Sequence, residues 1–119
     1  MLDENSPILT VSKVAKMLNI SADRLRTYDE ENLVEPTRTG NNARMYSCND
    51  VNWLEALRKL INKPNISILG IKEILRIIYF MDDDQFEIFT QKQPKDSIWQ
   101  TFAQMKKNPN FEKLRKYYT

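Results

Sequence analysis

A chain of 119 residues with 41% hydrophobic residues, two glycines and five prolines can form one domain, or one small domain with an appendage, and is too apolar to stay disordered. No run approaches the roughly 18 apolar residues of a membrane span, and the first residues are acidic and polar rather than signal-like, so a cytoplasmic protein is expected. One cysteine and no histidine rule out a disulfide framework and a zinc site and, with no Gly-rich phosphate loop, leave no arrangement for catalysis, so neither an enzyme nor a cofactor is expected.

The net charge of +2 is small for a nucleic-acid binder, and residues 1–48 hold six basic side chains (Lys13, Lys16, Arg24, Arg26, Arg38, Arg44) against seven acidic ones (Asp3, Glu4, Asp23, Asp29, Glu30, Glu31, Glu35). Only their distribution on a folded surface can favour phosphate. Residues 1–8 read as a mobile arm or frayed terminus, with Pro7 marking entry into structure. Val11, Val14, Ala15 and Leu18 then recur at the spacing of one buried helical face, capped by Thr10 or Ser12, with Lys13 and Lys16 on the solvent side.

Only Asn19, Ile20 and Ser21 separate this helix from the next, which turns Leu25, Tyr28 and Leu33 inward and carries Arg24 and Arg26 outside. So short a turn, closed by a capping Ser21, makes two helices cross steeply, as in a helix-turn-helix whose second member can enter a major groove. Asp29, Glu30 and Glu31 fall near the far end of that helix. A hairpin follows, with Leu33 and Val34 going out, Met45 and Tyr46 returning, and Gly40, Asn41 and Asn42 at a tip where positive φ is tolerated.

Ser47 to Asp50 caps a third helix with Val51, Leu54, Leu57 and Ile61 on its apolar face, and Cys48 sits at this cap beside the hairpin. Lys63, Pro64 and Asn65 break it, and Ser67 starts a fourth. From Ile68 to Met81 the apolar surface is wider than one stripe, so the tail or another subunit must cover it.

Asp82, Asp83 and Asp84, then Pro94 and Pro109, forbid a sustained coiled coil and predict short helices instead. Asp84 caps one bearing Phe86 and Phe89, Ser97 another bearing Ile98, Phe102 and Met105, and Phe111, Leu114 and Tyr118 form a third face. Nine of the twelve aromatic residues lie between Tyr79 and Tyr118, which fits a small core, a dimer interface or a ligand pocket. Lys106, Lys107, Lys113, Arg115 and Lys116 make a basic end that suits either solvent or phosphate.

The runs L-T-V-S-K-V-A-K-M-L-N-I-S, L-R-T-Y-D-E-E-N-L-V-E-P-T-R and A-R-M-Y-S-C-N-D-V resemble the DNA-binding half of the mercury-resistance-regulator (MerR) family, over about Leu9 to Leu75. R-T-G-N-N-A-R-M-Y and N-I-S-I-L-G-I-K-E-I-L are most similar to its HspR/GlnR-like branch. The resemblance implies a mainly α fold: a MerR-type winged helix-turn-helix with a two-stranded wing in residues 1–81, and a short aromatic-rich helical extension in residues 82–119. It also implies double-stranded DNA as partner, a homodimer, and contact with RNA polymerase at a promoter.

Carried over residue by residue, the DNA-binding set is Lys13, Arg24, Arg26, Thr27, Tyr28, Arg38, Asn41, Asn42, Arg44 and Tyr46. One of Arg24 and Arg26 reads bases and the other clamps phosphate, while Arg38 and Arg44 hold phosphate beside the minor groove. Tyr28 and Tyr46 suit either the core or a hydroxyl contact to phosphate. Asp23 departs from the family, which usually has a basic or polar residue there, and Thr27–Tyr28 replaces its paired tyrosines. With no obvious effector domain, repression or constitutive binding is favoured over a sensed switch. An excisionase-like or chromosome-anchoring architectural protein, and an adaptor without DNA binding, are the alternatives.

Overall fold

The computed structural model describes residues 3–119, and the chain divides into two compact units, Met1–Glu55 and Ala56–Thr119. In chain order the elements are β1 (Leu9–Thr10), α1 (Val11–Leu18), α2 (Ala22–Glu30), β2 (Thr37–Arg38), β3 (Arg44–Tyr46), α3 (Cys48–Asn62), α4 (Ile68–Phe80), α5 (Asp83–Gln91), α6 (Ile98–Lys106) and α7 (Pro109–Leu114), followed by a 3-10 turn at Arg115–Tyr117.

In the first unit the side chain of Thr10 caps α1 by accepting from the Lys13 amide at 3.2 Å. At its other end Asn19 adopts a left-handed conformation (φ 55°) and its N–H returns to Ala15 and Lys16. Asn pays little for that conformation. Ser21 then caps α2 by accepting from the Arg24 amide at 3.1 Å, so the chain reverses between the helices within the turn anticipated from sequence. Val14, Leu18, Leu25, Tyr28, Leu33, Val34, Tyr46, Trp53 and Leu54 form the core of this unit.

The sheet has three strands in the order β1-β3-β2, because Leu9–Thr10 pairs antiparallel with β3 outside the two wing strands. The outgoing wing strand is Thr37–Arg38, not Leu33–Val34. Those two neighbours are 0% and 1% exposed. Consecutive side chains of a strand point to opposite faces, so a pair buried together suits the connecting segment, not the edge of a small sheet. At the tip the Asn42 amide donates to Thr39 and the Thr39 amide to Ala43, both at 2.9 Å. The positive φ there belongs to Asn42, at 61°.

Ser47 and Asp50 cap α3 reciprocally: the Ser47 amide donates to Asp50 Oδ2 at 2.9 Å and the Asp50 amide to Ser47 Oγ at 3.0 Å. Residues 3–8 are tied to this cap, since the Asn49 amide donates to the Glu4 carbonyl at 3.0 Å and Asn49 Nδ2 to Asn5 Oδ1 at 2.7 Å. The expected mobile arm is thus anchored over its described part, and Met1 and Leu2 lie outside the described residues. Trp53 and Leu60, rather than Val51 and Ile61, join Leu54 and Leu57 on the buried face of α3.

The second unit packs Leu57, Leu60, Ile71, Leu75, Ile78, Phe86, Phe102, Met105, Phe111 and Leu114 into its own core. Tyr79 stacks on Phe111 (centroids 4.1 Å apart) and on Tyr118 (5.5 Å), so these three aromatics serve packing. Asp82, not Asp84, caps α5, through a capping box with Gln85. Asp83 and Asp84 then fall in the first turn, where carboxylates are favoured by the helix dipole. The extension expected from residue 82 shares this unit with α4.

Candidate nucleic-acid interface

Because Leu25 and Tyr28 anchor α2 in the core at 0% and 1% exposure, helical geometry turns Asp23, Arg24, Arg26 and Thr27 outward. Arg26 pairs with Asp23 one turn earlier at 2.6 Å, with both side chains well exposed. Thr27 Oγ1 donates to the Asp23 carbonyl at 3.0 Å, which leaves its lone pairs to accept from a ligand. Arg24 is exposed, and among the described residues no acidic side chain holds its guanidinium. On α1, Lys13 is also exposed.

The wing adds Asn41 and Asn42, exposed at its tip, and two arginines. Arg38 Nη2 and Arg44 Nε both donate to Asp29 Oδ2, at 2.8 and 2.6 Å, and Arg38 Nη1 donates to the Asn42 carbonyl at 3.3 Å. From sequence, Asp29 falls only near the far end of α2. Its carboxylate instead lies between the two wing arginines, a role missed because helix periodicity gives no distance to a strand. The available signal was the need for a counter-charge between two arginines flanking one hairpin.

Tyr28 and Tyr46 do not belong to the exposed face. Both rings are buried, at 1% and 0% exposure, and among the described residues neither hydroxyl has a hydrogen-bond partner. The Tyr46 hydroxyl is pushed up to about 12, first by burial and then by the charge of Asp29. Burial in the core therefore removes both from the surface set of Lys13, Arg24, Arg26, Thr27, Arg38, Asn41, Asn42 and the partly exposed Arg44.

The MerR helix-turn-helix regulatory protein family matches residues 9–77, which cover α1, α2, the wing, α3 and most of α4. The chain belongs to the MerR family. Over 97 residues it is 33% identical to the HTH-type transcriptional regulator GlnR of Bacillus anthracis, spanning 82% of this chain and 71% of that protein. The GlnR of Bacillus cereus is similar to the same extent. The chain is also 33% identical over 76 residues to the putative heat shock protein HspR of Streptomyces coelicolor, over 64% of this chain and 50% of that one. The HspR/GlnR-like branch of the MerR family is thus the right placement.

MerR proteins are DNA-binding transcriptional regulators and not enzymes, and this chain is one of them. In MerR terms α1 and α2 are the helix-turn-helix and β2–β3 the wing. Cys48, at the start of α3, is an exposed free thiol. Among the described residues no helix is long and apolar enough to cross a membrane.

Proposed function

We propose that this regulator binds duplex DNA as a homodimer on a pseudo-palindromic operator, with α2 in the major groove and the wing against the flanking backbone. The observation that carries the reading is the state of the arginines on the first unit. Arg26, Arg38 and Arg44 are each held by a carboxylate, whereas Arg24 projects from α2 with its fork open. An arginine so placed suits a bidentate contact to guanine, and its tethered neighbours suit phosphate. Arg26, Arg38 and Arg44 would set position, with Lys13, Asn41 and Asn42 at the edges, and Arg24 and Thr27 would read sequence.

Two copies must present their α2 helices about one helical turn apart, roughly 34 Å, so a two-fold dimer calls for an inverted repeat. Bound at a promoter, the dimer either occludes RNA polymerase or distorts the spacer that polymerase reads, the latter at a cost on the order of a few kcal/mol. We place it in the cytoplasm, at the nucleoid.

The test is selection of bound duplexes from a random pool at near-physiological salt, with the mass of the complex recorded. An inverted repeat carried by two chains is the expected result. Bound DNA without a consensus would replace this reading with an architectural one, and no retained DNA even at low salt would overturn it in favour of an adaptor.

A further inference from the structure

Arg38 and Arg44 sit directly opposite each other across β2 and β3. Like charges in that position repel and would splay the hairpin. Asp29, from the last turn of α2, answers both through one oxygen, at 2.8 Å to Arg38 and 2.6 Å to Arg44. Arg38 also reaches the tip through the Asn42 carbonyl. One carboxylate thus joins the end of the reading helix to both wing strands and, through Arg38, to the turn between them. The joint is sheltered, with the side chains of Asp29 and Arg44 only 16% and 17% exposed.

Two guanidinium groups on one carboxylate keep a net positive charge. Arg44 spends its Nε on Asp29, so its terminal amino groups stay available to phosphate. Arg38 is more open, at 39% exposure.

We infer that Asp29 is a positioning residue for DNA binding, holding Arg38 and Arg44 as a single phosphate clamp at a fixed attitude to α2. The inference rests on the DNA-reading proposed above. A clamp fixed to the reading helix grips the backbone only where α2 is also in register. It also loses less side-chain freedom on docking than two loose arginines would. Released arginines would instead follow any duplex, because backbone attraction carries no sequence information. Asp29 therefore contributes to discrimination between sequences while touching no base.

The experiment compares the full-length wild type, Asp29→Asn and Asp29→Glu on the selected operator and on a random duplex across a salt series. For Asp29→Asn, operator affinity falls roughly tenfold, the scale of one charge-assisted hydrogen bond. Random-duplex affinity holds or rises, and its salt dependence steepens by up to about 0.9 in slope per released arginine. Asp29→Glu recovers most of the operator preference. An unchanged operator-to-random ratio in Asp29→Asn, or a rise in operator affinity, overturns the clamp; the rise would mean that Asp29 competes with phosphate.

If Asp29→Asn loses its helical circular dichroism, the wild type decides. The Arg44 Nε–H resonance stays protected from exchange on operator saturation if the clamp persists, and loss of that protection overturns it. A wild type that selects no operator sinks the parent reading before any variant is made, so the two failures are distinguishable.

Discussion

Trp53 donates its indole N–H to the Leu33 carbonyl at 2.6 Å, with both residues all but sealed from water at 1% and 0% exposure. Leu33 is where the chain leaves α2, its amide closing onto the Tyr28 carbonyl at 2.9 Å just after Asn32 takes φ 60°. The bond therefore fixes the exit of α2 against α3. Trp53→Phe fills most of the same space but strands a buried carbonyl, so stability should fall by about 1–3 kcal/mol. Urea unfolding would show a lower midpoint with an unchanged slope, and an unchanged midpoint would mean that water replaces the indole.

In the second unit, two phenylalanines separate packing from exposure. Phe111 is 2% exposed, stacks on Tyr79 and accepts the Tyr79 hydroxyl on its carbonyl at 2.6 Å, whereas Phe80 is 93% exposed at the end of α4. Phe111→Ala should cost about 3–5 kcal/mol, the range for losing a buried ring and leaving its cavity. Phe80→Ala should move stability by no more than about 0.5 kcal/mol. Parallel thermal melts of the two variants check both values, and equal losses would contradict the packing described.

These contrasts mark how far the sequence could be read. The helix-turn-helix was legible because its signals are local: apolar spacing from Val11 to Leu18, the capping side chains of Thr10 and Ser21, and a turn too short for anything but a steep crossing. The outgoing wing strand was misplaced by apolarity. Leu33 and Val34 are hydrophobic because the connection is buried, while Thr37 and Arg38 pair as a strand with both side chains exposed. The tyrosines could not be sorted, since a Tyr suits either a core or a phosphate contact and only packing shows which way its ring turns. Asp29 escaped for a related reason, because its two partners lie 9 and 15 residues away.

Tyr46 makes the first unit sensitive to alkali. Its hydroxyl is raised from 10.0 to about 12 in the folded state, so between those values the unfolded chain gives up a proton that the folded chain keeps. Stability contributed by this group is then complete below pH 10 and drains away as pH rises toward 12, by about 1–3 kcal/mol in all. Tyr46→Phe removes a buried hydroxyl that has no partner among the described residues. It should leave stability at pH 7 unchanged or slightly raised and should flatten the loss above pH 10. Tyr79, raised in the same direction by burial, adds an alkaline loss of its own in the second unit. Urea midpoints of wild type and Tyr46→Phe at pH 7 and pH 11 test this, and identical alkaline losses would exclude Tyr46 as a cause.

The roles proposed for Arg24 and Arg26 on α2 differ in a way that binding data can resolve. Arg26 is drawn toward Asp23 at 2.6 Å across an exposed surface, a pair that solvent screens and that contributes little to stability. A phosphate can replace that carboxylate, so Arg26→Ala should weaken binding to all duplexes alike and reduce the salt slope by about 1. Among the described residues no carboxylate holds the Arg24 guanidinium. If it reads a base, Arg24→Ala should lose about 1–3 kcal/mol of discrimination at one operator position and little at the others. Titrations against the operator and its single-base variants separate the two patterns. A uniform loss for Arg24→Ala with a single-position loss for Arg26→Ala would exchange the assignments, and would mean that Asp23 steers its partner toward the bases.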